Sequence, residues 1–239
     1  MTQPFQQWTV LPHGKLSRID DNLLTVVGEI HMPLMDLPRR MTVVRLNDGR
    51  LVVYSAIALD DDEMASLEAF GRPAFLIVPS DKHRLDAKIW KDRYPGMQVV
   101  APEGAREKVQ EVVHVDTTMP GFDDPNLLFV VVPGTRGREA ALVVRSPQGT
   151  TLVLNDVVGN IRDASGFGGW LLRMAGFAGK EAHIPTVVKV AVIADTQALR
   201  QQLLQWAEIE SLTRILVSHG SPIEDNPRQA LRDLAKSLS

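Results

Sequence analysis

The sequence predicts a mixed α/β fold, and three features carry that reading. The first third is rich in β-branched runs, two of them joined by Asn47-Asp48-Gly49-Arg50, and Asp-Gly between such runs is among the strongest hairpin signals. Segments with helical apolar spacing alternate with short apolar runs along the rest of the chain. Several of those runs stop abruptly at a polar residue or a glycine turn, as Phe75 to Val78 does at Pro79-Ser80.

At 239 residues, 44% hydrophobic and 23% charged, the chain can bury a large core, and it lacks repeats or linkers, so one domain over residues 1–239 is expected. A net charge of −3 gives no basic footprint for nucleic acid. The absence of cysteine excludes disulfides, thiolate zinc sites and a cysteine nucleophile. The N-terminus has no basic and apolar leader, and no apolar run reaches the ~20 residues of a spanning helix. The expectation is a soluble cytoplasmic protein without a membrane partner.

Taken in order, residues 1–20 read as an irregular arm, with Pro4, Pro12 and Gly14 as breakers. Leu23 to Ile30 is a strand, and His31 to Arg40, with Pro33 and Pro38, a loop. Met41 to Leu46 and Leu51 to Ser55 form the hairpin. Asp60 to Glu63 place acids at the positive end of a helix running to about Gly71. After the strand at Phe75 to Val78 come a short helix (Ala87 to Arg93), a strand (Met97 to Ala101) and a helix to about Gln110. Leu127 to Val132, Ala140 to Arg145 and Thr150 to Leu154 are strands. Asp163 to Gly179, glycine-rich and apolar, is expected to be a helix packed on the sheet, with a lid or a homodimer contact as alternatives. Val187 to Ile193 suits strand or helix; Thr196 to Glu208 is a helix, Arg214 to Val217 a strand, and Asn226 to Leu238 a terminal helix.

Four strand ends carry chemistry. Asp81, His83 and Asp86 follow the strand at Phe75, Asn155 and Asp156 follow Leu154, and His219 follows Val217. The turn Pro133-Gly134-Thr135-Arg136-Gly137 follows Val132. In open α/β sheets, ligands sit at the carboxyl ends of strands. Arg136 can hold an anionic substrate at the rim, and His183 can reach the site if the glycine-rich segment folds over it. His31 and His114 lack partners at metal-ligand spacing, and no Gly-x-Ser-x-Gly elbow occurs.

This order of parts resembles the metallo-β-lactamase-like superfamily, whose pattern is a His-x-His-x-Asp-His loop, a Pro-Gly-His turn, a strand ending in Gly-Asp and a strand ending in His-Gly. The matching segments are Ser80 to Asp86, Pro133-Gly134-Thr135, Asn155-Asp156 and His219-Gly220, within roughly residues 23 to 221. Arg40 to Gly49, Tyr54 to Leu59, and Trp90 with Tyr94-Pro95 are similar to a divergent branch of that superfamily that brings no established substrate. The resemblance implies a four-layer αββα sandwich.

Residue by residue, His83, Asp156 and His219 fall on ligand positions of that pattern, whereas Asp81, Leu85, Asp86 and Thr135 replace its remaining ligands. The resemblance therefore implies a metal-dependent hydrolase with an altered, mononuclear site. Its divalent metal is Zn, Fe or Mn, held by Asp81, His83, Asp86, Asp156 and His219. Asp86 and Asp156 are its catalytic carboxylates, and Thr135, Arg136 and His183 line a small-molecule substrate. Replacing imidazole with carboxylate shifts such a site toward harder ions. Three alternatives stand beside this reading. One is an ion-pair cluster in which Lys82 and Arg84 neutralise the acids. Another is a non-catalytic relative binding a ligand or protein, and the last a redox iron protein.

Overall fold

The computed structural model describes residues 3–32, 35–161, 178–179 and 181–238. The first sheet is 6-stranded: β1 (Ser17–Asp20), β2 (Leu23–Met32), β3 (Met35–Arg45), β4 (Arg50–Tyr54), β5 (Arg72–Ile77) and β6 (Gln98–Val100), in spatial order β1-β2-β3-β4-β5-β6. Neighbours from β1 to β4 are antiparallel, and β4, β5 and β6 are parallel. The second sheet is 4-stranded: β7 (Leu127–Val131), β8 (Ala140–Ser146), β9 (Gly149–Asn160) and β10 (Leu212–Gly220), ordered β10-β9-β8-β7. Only the β9–β10 pair is parallel there. The helices are α1 (Asp61–Phe70), α2 (Ala87–Arg93), α3 (Glu103–Gln110), α4 (Thr186–Ala191), α5 (Thr196–Ala207) and α6 (Pro227–Lys236).

Side-chain alternation explains the layering. On β4, Leu51 and Val53 join Met64 and Leu67 of α1, Trp90 of α2 and Val109 of α3 in one apolar cluster. Val52 and Tyr54, pointing the other way, meet Leu142 and Val144 of β8 and Leu216 of β10 between the sheets. Ala141 and Val143 of β8, on the far face, pack against Leu199 and Leu203 of α5 and Leu231 and Leu234 of α6. The result is an αββα sandwich, as the resemblance implies. A fully buried Leu or Val contributes about 1.5–3 kcal/mol, against about 0–1 kcal/mol for an exposed ion pair. The three apolar layers therefore hold the sandwich.

Local signals read from the sequence account for most elements. Gly49 closes the β3–β4 hairpin with φ of 82°, a conformation that favours glycine. Asp60 caps α1 by accepting the Glu63 N–H at 2.9 Å.

Two expectations need correction, and one open alternative is settled. The arm is not irregular throughout, because Ser17–Asp20 pairs with β2 as β1. The expected loop from His31 to Arg40 is largely strand: β2 runs to Met32, β3 starts at Met35, and Pro38 sits opposite Glu29. Proline is tolerated there because β4 pairs with β3 only from Thr42 to Arg45, leaving the other flank of Pro38 without a paired strand among the described residues. The ambiguous Val187 to Ile193 stretch is largely helix α4. The helix expected across Asp163 to Gly179 lies mostly outside the described residues. Among the described residues no helix is long and apolar enough to cross a membrane.

Arg40, buried, locks the two sheets where β3 passes β10. Its Nε donates to Val217 O at 3.2 Å, Nη2 to Gly220 O at 2.9 Å and Nη1 to Thr25 Oγ1 at 3.2 Å. An Arg40→Met substitution keeps the apolar stem but strands two carbonyls, and a loss of about 2–4 kcal/mol is expected. Urea denaturation measures this directly; a change under about 0.5 kcal/mol would show that the lock contributes nothing net.

Candidate metal centre

His83, Asp156 and His219 meet where the two sheets present their strand ends. His83 lies in the loop between β5 and α2, its N–H donating to Ser80 O at 3.3 Å. Asp156 lies within β9, not beyond it. The β9–β10 register explains its position: Val217 pairs with Leu154, but His219 pairs with Gly159. The extra residues on β9 form an irregularity that turns Asp156 toward the site, a common use of bulges. His219 is followed by Gly220, whose φ of 109° and closeness to Asn160 exclude any side chain.

The three ligand atoms form a tight triangle. His83 Nε2 lies 3.0 Å and His219 Nε2 3.1 Å from Asp156 Oδ1, and the two Nε2 atoms are 3.3 Å apart. Each imidazole is held from behind. Ser55 Oγ is 2.8 Å from His83 Nδ1, and His219 Nδ1 is 2.7 Å from the Pro38 carbonyl, to which it can only donate.

Burial works against ionisation of Asp156, but His83 and His219 outweigh it and hold the carboxyl well below the usual carboxylate range. Burial also opposes charge on His219, yet the Asp156 carboxylate and the Pro38 carbonyl raise its pKa above the ordinary imidazole value. With Asp156 an acceptor only, two Nε2–H donors converge on one oxygen. Metal–ligand bonds of roughly 2.0–2.1 Å at tetrahedral angles place ligand atoms ~3.3 Å apart. The triangle therefore suits three ligands of a single ion, with further positions open.

The other sequence candidates stand outside the triangle. Asp86 is buried at 1% exposure; it accepts from Arg39 Nη1 and, at 3.0 Å, from the Ala58 N–H. Burial raises its pKa against the pull of Arg39. Asp81 sits 3.2 Å from Lys82 Nζ and 4.0 Å from Arg138 Nη2. Thr135 is buried and spends its hydroxyl on Val132 O at 2.7 Å. Arg136 is exposed, and the arginine of that turn that approaches Asp81 is Arg138. His183 pairs through its backbone with Gly159, its Nδ1 2.9 Å from Glu181 O. Arg84 pairs with Glu111, 2.8 Å away, and not with the site acids.

Three residues were not singled out by sequence reasoning. Ser55 is a buried non-glycine residue at φ of 56°, a conformation that costs of order 1–3 kcal/mol and tends to mark functional positions. Its signal was the one used elsewhere, a polar residue directly after an apolar strand. Arg39 lines the same cavity as His83, Asp156 and His219. Glu139, buried, accepts from Asn155 Nδ2 at 2.9 Å, and Asn155 Oδ1 accepts from Ser218 at 2.9 Å. Burial, reinforced by the Asp156 charge, pushes the Glu139 carboxyl well above its usual range. Nothing in its sequence context distinguishes it from a surface acid.

Neither a protein-family model nor a curated protein matches the sequence. Solved structures do match in three dimensions. The metallo-β-lactamase FIM-1 from Pseudomonas aeruginosa, in its mono-zinc form, superposes with a TM-score of 0.63 at 12% identity, over 95% of this chain and 96% of that one. The metallo-β-lactamase DIM-1, exposed to ceftazidime, gives 0.64 at 12% identity, over 97% and 100%. A metallo-β-lactamase from Erythrobacter litoralis gives 0.62 at 14% identity, over 93% and 96%. The chain has the metallo-β-lactamase-like fold.

Proposed function

We propose that the protein is a metal-dependent hydrolase with a single-ion site held by His83, Asp156 and His219. The observation that carries this reading is the pair of imidazole nitrogens 3.3 Å apart, both directed at one carboxylate oxygen. Two N–H groups so placed repel each other, whereas two lone pairs and a carboxylate attract a cation. The FIM-1 structure, described as a mono-zinc form, supports one zinc as compatible with this fold.

Three protein ligands leave coordination positions open, which is the pattern of catalytic rather than structural sites. When bound, a divalent cation supplies Lewis acidity, polarising a substrate carbonyl or phosphoryl group and acidifying water. The chain's own residues do the rest. With a cation bound, His83 would donate its Nδ1–H to Ser55 Oγ and present Nε2 as a lone-pair donor, and His219 would do the same against the Pro38 carbonyl. Lys82 and Arg138 flank Asp81 near the site. A second reading rests on the ligand set: two histidines and one carboxylate also suit non-haem Fe(II) and oxygen chemistry.

Elemental analysis of the purified protein is expected to give close to one Zn or Fe per chain, lost in His83→Ala/His219→Ala. An equal metal content in both proteins would sink the assignment; oxygen consumption by an iron-loaded form would favour the second reading.

Acidity separates the metal-free and metal-bound states. Raised His219 stabilises the metal-free protein fully below about pH 6.5 and loses that contribution as pH rises through its folded value. Lowered Asp156 contributes above about pH 3.9 and loses its contribution as pH falls. Metal uptake runs the other way, since His219 must shed its Nε2 proton. The melting-temperature gain on adding zinc should therefore grow from pH 5.5 to 8, and a gain independent of pH would contradict the ligand role of His219.

Asp86 marks the boundary of the site. Asp86→Ala leaves Arg39 as a buried unpaired charge and is expected to cost about 3–5 kcal/mol while metal content per folded chain stays unchanged. Loss of metal from folded Asp86→Ala would return Asp86 to the ligand set.

A further inference from the structure

Three buried polar side chains beside the metal centre are linked in a row. Ser218 Oγ donates to Asn155 Oδ1 at 2.9 Å, and Asn155 Nδ2 donates to Glu139 Oε2 at 2.9 Å. Each of the three residues is at most 2% exposed, so water does not compete for these bonds. Asn155 directly precedes Asp156, and Ser218 directly precedes His219.

The strand register gives this row its place. Along β9 and β10, Val153 pairs with Leu216 and Leu154 with Val217, after which the pairing jumps to Gly159 opposite His219. Asn155 and Ser218 are the next residues after the last regular pair. Their side chains continue the inter-sheet faces of Val153 and Leu216, two positions earlier on each strand. The Ser218–Asn155 bond is therefore a side-chain rung where the regular register ends, one residue before two of the metal-centre positions. Glu139, immediately before β8, ties that rung to a third strand.

The same corner reaches the other sheet. Ala140 O accepts from Tyr54 Oη at 2.7 Å, and the Ala140 N–H donates to Pro79 O at 3.0 Å. Tyr54 precedes Ser55, the partner of His83 Nδ1, and Pro79 opens the loop that carries His83. The Glu139 side chain thus leads to Asp156 and His219, while the backbone of its neighbour leads to His83.

We propose that Glu139 is a positioning residue that acts through Asn155 and Ser218 to set the spacing of Asp156 and His219, and with it the affinity and coordination of the metal. This deepens the single-ion reading and rests on it for the metal, but not for the positioning. What the row requires at position 139 is an oxygen acceptor. Without one, Asn155 Nδ2 becomes a buried donor lacking this partner, and an amide that turns to find another releases Ser218 as well.

The test is a cobalt(II) titration of the full-length protein followed by visible d–d absorption, with thermal melting alongside. Glu139→Ala is expected to weaken cobalt binding by roughly 10–100-fold, the scale for losing an outer partner of a metal ligand, and to shift the d–d bands. Glu139→Gln keeps an oxygen for Asn155 and should match the wild type in both. Ser218→Ala cuts the row at its other end and should weaken binding too. Glu139→Ala/Ser218→Ala should then bind no more weakly than Glu139→Ala alone, because the row is already broken. A lower melting temperature with unchanged cobalt affinity and bands in either single variant would leave packing as the whole role and overturn the proposal. Glu139→Gln binding as weakly as Glu139→Ala, or losses that multiply in the double variant, would overturn it as well. If Glu139→Ala does not fold, the cobalt affinity of Ser218→Ala decides in the same way. A wild type that takes up no cobalt would sink the single-ion reading, and the metal-free protein then decides the positioning. The imidazole nitrogen shifts of His219 should move in Glu139→Ala and not in Glu139→Gln, and shifts unmoved in both would overturn it.

Discussion

A single carboxylate oxygen, Asp156 Oδ1, is shared by two imidazoles that arrive from different sheets. His83 follows β5 of the 6-stranded sheet, and His219 lies near the end of β10 in the 4-stranded one. Polar groups buried at such a junction are costly unless each is paired. Here the pairing continues outward, to Ser55 behind His83 and to Pro38 behind His219, while Glu139 accepts from the side chain of Asn155 next to Asp156. The site is therefore preorganised by its second layer of contacts, and its geometry depends on the two sheets keeping their separation. Arg40 enforces that separation a few residues from the triangle, through carbonyls on either side of His219.

The adjacent arginines divide their tasks by strand alternation. Arg40 shares parity with Thr42 and Val44, and Val44 packs between the sheets. Arg39 shares parity with Met41 and Val43, which face the helices, and so meets Asp86 at the start of α2. One strand register thus sends one guanidinium into the structural lock and the next into the cavity wall. A one-residue slip of β3 would exchange the two. The β2–β3 pairing, continuous from Leu23 opposite Val44 to Met32 opposite Met35, opposes such a slip.

Where local chemistry determines an element, the sequence was readable: the Asp-Gly hairpin, the acid-led start of α1 and the apolar runs of the core strands all appear as read. So did the triangle, because His83, Asp156 and His219 each lie on the short polar stretch that follows an apolar run. What escaped was set by contacts distant in sequence. Pro38 argued for a loop, but β3 passes through it with β2 on one flank and no paired strand on the other among the described residues. Asp156 read as lying beyond a strand, because an irregularity in parallel pairing leaves no mark in β9 itself. Glu139 and Arg39 carry charges that ordinarily signal solvent. Their burial depends on Asn155 and Asp86, respectively 16 and 47 positions away. Asp86 was legible as an acid near the site but not as one already engaged, since nothing near it in sequence announces Arg39.

The same engagements bear on how many cations the site can take. Positions that the superfamily pattern gives to further ligands hold Leu85, which is buried, and Thr135, whose hydroxyl closes its own turn. Asp86 keeps one oxygen on Arg39 and the other on Ala58. Recruiting it as a ligand would remove the one counterion that the buried Arg39 guanidinium has among the described residues.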